Sequence, residues 1–195
     1  MKNMRTLVVY YSRAGKTKDL AEDLANRLGC DIEAVVDKRK RNGIHMLTSG
    51  RDAQKMNLTE IGRPANDPSS YDLVVIGTPV YSSRVSAPIR TYLTMNKGKI
   101  KKSAFFLTHM LKKNQAFEDM EAILSMEPIA CLEIRERRDL KAGTYEKKLG
   151  NFVGQIVAGV QEESAAASAP GRDSSPLQNP GIAGRIHDQT RGEDT

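Results

Sequence analysis

Five short apolar bursts, alternating with stretches of helical period, constrain this chain more than any other feature of it. The first, Thr6-Leu7-Val8-Val9-Tyr10-Tyr11, is β-branched and unbroken, as suits a strand covered on both faces. Leu20, Ala21, Leu24, Ala25 and Leu28 then fall on one helical face, and Gly29 is placed to end that helix. Ile32 to Val36 predicts a second strand, and Gly43 to Met56 a weaker helix interrupted by Gly50. Leu73 to Ile76 predicts a third strand, ending in Gly77-Thr78-Pro79. Pro88 suits the first turn of the next helix, which turns Ile89, Tyr92 and Leu93 inward. Ala104 to Leu107 is the fourth burst, followed by Phe117, Met120 and Leu124 at helical spacing. Ile129 to Ile134 is the fifth. Leu149, Phe152, Val153, Ile156, Val157 and Val160 complete the pattern with an amphipathic stripe. Such alternation predicts an α/β fold, a doubly wound five-stranded parallel sheet with helices on both faces. Ligands of such sheets bind outside the carboxyl ends of the strands, which directs attention to the segments after Tyr11, Ile76 and Leu107.

The pattern stops near residue 160. From Gln161 to Thr195 there is no aromatic residue, and Leu177, Ile182 and Ile186 are the only large apolars. So little apolar area does not offset chain entropy, so 161–195 is expected to be a disordered polar tail on a domain of residues 1–160. Six acidic against three basic side chains give the tail −3, and the chain total of +6 leaves +9 on the rest. Cys30 and Cys131 match neither a disulfide framework nor a zinc spacing, and both are expected to be packing residues, with no metal site. The first apolar run is too short for a signal peptide's core, and nothing approaches the roughly 18 consecutive apolar residues of a membrane span. A soluble, cytoplasmic protein is expected. The basic run Lys38-Arg39-Lys40-Arg41 raises nucleic acid as a partner, but no nucleic-acid module surrounds it and aromatics are scarce. A solvated loop, or attraction for small anions, accounts for the charge equally well.

After the first strand, Ser12-Arg13-Ala14-Gly15-Lys16-Thr17 leads directly into the first helix. Small and hydroxyl residues there let backbone N–H groups converge on one anion, aided by the positive end of the helix dipole. The alternative is that Ser12 or Thr17 merely caps the helix. Gly15-Lys16-Thr17 also matches the end of a nucleoside-triphosphate loop, but that motif needs glycine where Tyr10 stands. The third strand ends in no Asp that would hold magnesium, so the NTPase reading is weak.

Tyr10-Tyr11-Ser12-Arg13-Ala14-Gly15-Lys16-Thr17 resembles the FMN phosphate loop of the flavodoxin family, whose usual form is Ser/Thr-x-x-Gly-x-Thr. Asp72 to Tyr81, read Asp-Leu-Val-Val-Ile-Gly-Thr-Pro-Val-Tyr, is similar to that family's third strand and the flavin loop after it. The likeness runs on through Ser82-Ser83-Arg84-Val85-Ser86-Ala87-Pro88 and covers about residues 5–160, in the family's short-chain form. The resemblance implies strand order 2-1-3-4-5 and FMN as cofactor. It implies that Ser12, Arg13, Ala14, Gly15, Lys16 and Thr17 grip the phosphate. Thr78, Pro79, Val80, Tyr81, Ser82, Ser83 and Arg84 would run along the isoalloxazine, with Tyr81 covering a face of it.

A third loop, Thr108-His109-Met110-Leu111-Lys112-Lys113-Asn114, is bulkier and more basic than in many relatives. Thr108 and His109 would meet the flavin there. His109 is the one candidate for chemistry, as hydrogen-bond partner or proton donor, against the plainer reading of a solvated loop histidine. Electron-carrier flavodoxins are typically acidic, so a domain of +9 suits acidic redox partners or anionic small-molecule acceptors instead. The expected function is an FMN-dependent oxidoreductase, with NAD(P)H in view as donor, or an electron-transfer protein. It would pass electrons from a reduced donor to an acceptor such as a quinone or redox protein. The alternative is a non-catalytic binding or regulatory module that kept the fold and lost the redox role.

Overall fold

A computed structural model describes residues 4–39, 46–110, 114–135, 138–139 and 143–167. In chain order these form β1 (Thr6–Tyr10), α1 (Lys16–Leu28), β2 (Asp31–Ala34), α2 (Met46–Gln54), β3 (Leu73–Tyr81) and β4 (Arg84–Val85). There follow α3 (Ala87–Asn96), β5 (Ser103–His109), α4 (Ala116–Leu124), β6 (Cys131–Arg135) and α5 (Tyr145–Ala167). The sheet runs β2-β1-β3-β5-β6, every neighbouring pair parallel. With β4 set aside this is the expected order 2-1-3-4-5, the doubly wound flavodoxin-like arrangement.

Strand periodicity divides the core in two. Leu7 and Val9 of β1, Val74 and Ile76 of β3, and Phe105 and Leu107 of β5 pack against Ile89, Tyr92 and Leu93 of α3 and Met120 and Leu124 of α4. Their neighbours Val8, Tyr10, Leu73, Val75, Ala104 and Phe106 face Leu20, Leu24, Leu149, Phe152 and Ile156 of α1 and α5. Each such large side chain, fully buried, contributes about 1.5–3 kcal/mol. Gly77 stands where β3 meets the Phe106 ring; an added Cβ would lie 1.9 Å from that ring, so only hydrogen fits.

Several expectations need correction. The second strand is Asp31–Ala34 rather than Ile32–Val36; it is an edge strand, and Val36 beyond it is exposed. Gly77-Thr78-Pro79 does not end β3, which stays paired with β5 as far as Pro79 opposite Thr108. It then turns back through a hairpin, Val80 opposite Val85 and Tyr81 opposite Arg84. The two turn residues Ser82 and Ser83 have φ of 48° and 63°, the left-handed backbone of a two-residue hairpin. β4 is thus an extra, antiparallel strand that the five-strand expectation lacked. Cys30 is half-buried with its thiol pushed up to about 11 by burial, but Cys131, at the start of an edge strand, is exposed. Val157 is exposed rather than part of the buried stripe. α5 runs on to Ala167, past the boundary expected at 160; the rest of the expected tail lies outside the described residues.

Candidate functional site

β1, β3 and β5 all end on one side of the sheet, and the segments leaving them converge on a cleft of about 1010 Å³. Ser12, Arg13, Ala14, Lys16 and Thr17 line it from the turn after β1. Pro79, Val80, Tyr81 and Ser82 line it from the hairpin, and Thr108, His109 and Met110 from the end of β5. The three segments singled out in the sequence therefore share one space.

The turn after β1 leads into α1 through a glycine. Gly15 is the N-cap of α1 with φ 90°, a conformation that L side chains rarely adopt, and no side chain caps the helix. The N–H groups of the first turn are consequently left without a side-chain acceptor, at the positive end of the dipole. Ser12 Oγ is buried and has no hydrogen-bond partner among the described residues. Thr17 is not the cap either; its hydroxyl lies 2.7 Å from that of Thr108, tying the turn to β5. Arg13 reaches Ser49 Oγ at 3.4 Å, tying the turn to α2.

The remaining expected site residues are not among those that line the cleft. Gly15 shapes the turn without lining the cleft. Thr78 is fully buried, its hydroxyl 2.8 Å from Ser86 Oγ. The Ser83 carbonyl accepts from the Gln115 N–H at 2.7 Å, on the α4 side. Arg84 Nη1 donates to Asp119 Oδ1 at 2.6 Å. Arg90 Nη2 and the Val85 N–H donate to the other oxygen of the same carboxylate, at 3.1 and 3.2 Å. Arg84 thus fastens the hairpin to α4 instead of facing the cleft.

Sequence reasoning missed the α2 wall, where Gly50, Arg51 and Gln54 complete the cleft. Gly50, read as a helix interruption, is a close approach: a Cβ there would lie 2.7 Å from Ser82 Oγ. An isolated glycine inside a helical pattern was the available signal. Arg13, Lys16 and Arg51 put three cations on the lining, and among the described residues no carboxylate lines it.

His109 is not a solvated loop residue. It is the last residue of β5, 2% exposed, and its Nε2 stands 2.5 Å from Glu133 Oε1 without the alignment of a hydrogen bond. Its Nδ1 is buried with no partner among the described residues. Leu111, Lys112 and Lys113 of the same loop lie outside the described residues, as do Lys40 and Arg41 of the basic run. The run's other two cations are paired, Lys38 with Glu60 at 2.6 Å and Arg39 with Asp52 at 3.1 Å. Among the described residues no helix is long and apolar enough to cross a membrane, and no group of His, Cys, Asp and Glu is arranged to hold a metal ion.

No family model and no curated protein matches the chain. Solved structures do. A flavoprotein from Lactobacillus acidophilus NCFM, crystallised in complex with FMN, superposes with a TM-score of 0.59 at 23% identity, over 73% of this chain and 99% of that one. A candidate flavoprotein from Bacteroides eggerthii DSM 20697 gives 0.57 at 18% identity, over 75% and 98%. Rubredoxin oxygen:oxidoreductase from Desulfovibrio gigas gives 0.54 at 12% identity; the match covers 86% of this chain and 38% of that one.

Proposed function

We propose that this flavodoxin-like chain binds FMN in the cleft and serves as an oxidoreductase or electron-transfer protein. The observation that carries the reading is the buried Ser12 hydroxyl, without a partner among the described residues, beside the uncapped N-terminus of α1. An unmade buried hydrogen bond is costly, and a phosphate would satisfy it together with the free N–H groups of the helix. The cleft's volume falls at the upper end of the roughly 300–1,000 Å³ common for cofactor sites, and the Lactobacillus flavoprotein of like fold holds FMN.

Ser12 Oγ and the first-turn N–H groups of α1 would hold the phosphate, with Lys16 and Arg13 adding positive potential at the rim. Pro79, Val80 and Tyr81 from the hairpin, and Thr108, His109 and Met110 from the end of β5, would hold the ring and shield it from water. The Tyr81 ring supplies apolar, polarisable surface suited to stacking. Bound FMN supplies hydride or single-electron transfer; the protein supplies position and electrostatics. The three cations and the basic fold favour an acidic redox partner or an anionic small-molecule acceptor over a basic protein.

Fluorescence titration with FMN and with riboflavin tests the reading, because the two differ only in the phosphate. Quenching of FMN at concentrations where riboflavin stays free is the expected result. Equal affinity for both would remove the phosphate role of the turn, and no binding of either would overturn the reading.

A further inference from the structure

His109 belongs to the wall of the cleft, while the carboxylate 2.5 Å from its Nε2, Glu133, lines a second cavity. That cavity, of about 330 Å³, is also lined by Arg135, Arg138, Asp139, Thr144 and Lys148. The imidazole is 2% exposed, but the Glu133 side chain is 36% exposed and reaches solvent. A buried titratable ring therefore stands between the proposed flavin site and a carboxylate in contact with water.

We infer that His109 and Glu133 form a proton-holding pair at the cleft wall, taking up one proton when the ligand in the cleft gains negative charge. The inference rests on the FMN reading. The Glu133 carboxylate stands against one nitrogen of the buried ring, and the other nitrogen, Nδ1, has no partner among the described residues. The ring borders the cleft, where the charge of a ligand would act on it directly. Among the described residues the other charged groups nearby are committed or fixed in sign. Arg135 Nε lies 3.9 Å from Glu133 Oε1, and Lys148 donates to the Glu133 carbonyl and to Asp139. Asp119 of α4 is held by Arg84 and Arg90, and Arg13, Lys16 and Arg51 are cations of the cleft itself. Asn114, at 3.4 Å from Glu133 Oε1, steadies the carboxylate without titrating. Dithionite would supply two electrons, and solvent one proton, to FMN held in the cleft; a second solvent proton, entering on the Glu133 side, would leave both imidazole nitrogens protonated. Glu133 ends as it began, and acts as a positioning residue.

The test is an anaerobic spectroelectrochemical titration of the FMN-loaded full chain across about pH 6 to 8, where histidine changes charge. The expected result is one more proton taken up per two electrons in the wild type than in His109→Gln, with Glu133→Gln moving toward that variant. A second measurement needs neither substitution. In a chain carrying His45→Asn and His187→Asn, His109 is the only histidine left. Its imidazole ¹⁵N signals should change from singly to doubly protonated on reduction with dithionite. Parallel pH slopes, or ¹⁵N signals unmoved by reduction, overturn the pair while FMN binding stands. Failure of the wild type to retain FMN overturns the FMN reading itself.

Discussion

Ser12 and Asp139 show how differently two buried polar side chains constrain the molecule. Among the described residues the Ser12 hydroxyl has no hydrogen-bond partner, and the proposed function gives it one in the ligand. A hydrogen bond to a charged group contributes about 1.5–3 kcal/mol. Ser12→Ala should therefore weaken FMN binding by about ten- to a hundredfold with little change in thermal stability. A variant that binds FMN as tightly as the wild type would take Ser12 out of the site. Asp139 is the reverse case, 4% exposed and fully partnered by Lys148 Nζ at 2.6 Å, the Arg135 N–H at 2.8 Å and the Thr144 hydroxyl at 3.3 Å. Burial alone would raise its pKa, but these partners together hold it below the ordinary 3.8. A carboxyl depressed in the folded state contributes stability that is present above its unfolded value and lost as pH falls through the folded one. Urea midpoints should thus decline on the acid side of 3.8, and Asp139→Asn should flatten that decline. Equal acid limbs in the two proteins would contradict the assignment.

Among the elements, the β3–β4 hairpin is the part whose position matters most, and one carboxylate fixes it. Asp119 of α4 receives Arg84, Arg90 and the Val85 N–H, while the opposite flank of the hairpin presents Val80 and Tyr81 to the cleft. Removing one partner of a buried ion pair leaves a charge uncompensated, at a cost of about 3–5 kcal/mol. Arg90, 6% exposed and with its Nε already without a partner among the described residues, would be that charge. Asp119→Ala should lower the urea midpoint accordingly and weaken FMN binding, although Asp119 does not line the cleft. Destabilisation with unchanged FMN affinity would uncouple the hairpin from the site. None of this was legible beforehand. Gly77-Thr78-Pro79 looks like a strand end, and the bonds that continue β3 go to β5, some thirty positions along the chain. Likewise nothing local to Arg84 names Asp119. The β1 turn was legible, because strand, glycine and helix follow one another directly and the geometry is local. The α2 wall was not, since Gly50 has a meaning only once Ser82 is known to lie against it.

For the molecule as a whole, the alternation of apolar bursts and helical stripes implied a doubly wound parallel sheet, the family resemblance implied its strand order, and the two together gave the place where three separate segments meet. Edge positions carried less information. Val35 and Val36 continue the apolar run of β2, but an edge strand has one neighbour, and pairing stops before the run does. The charge of the fold gains definition from the structure: Lys38 and Arg39 are neutralised by Glu60 and Asp52, whereas Arg13, Lys16 and Arg51 line the cleft with no acidic residue beside them among the described lining residues. Positive potential is thus concentrated where an anionic cofactor and an acidic or anionic partner would arrive.

The most direct measurement is the visible absorption spectrum of the purified full chain after incubation with FMN and removal of the excess by gel filtration. Flavin bands retained at one FMN per chain, perturbed from those of free FMN, are the predicted result. A colourless protein whose FMN elutes entirely with the small molecules would contradict the central claim, and the turn from Ser12 to Thr17 would then have to receive another anion.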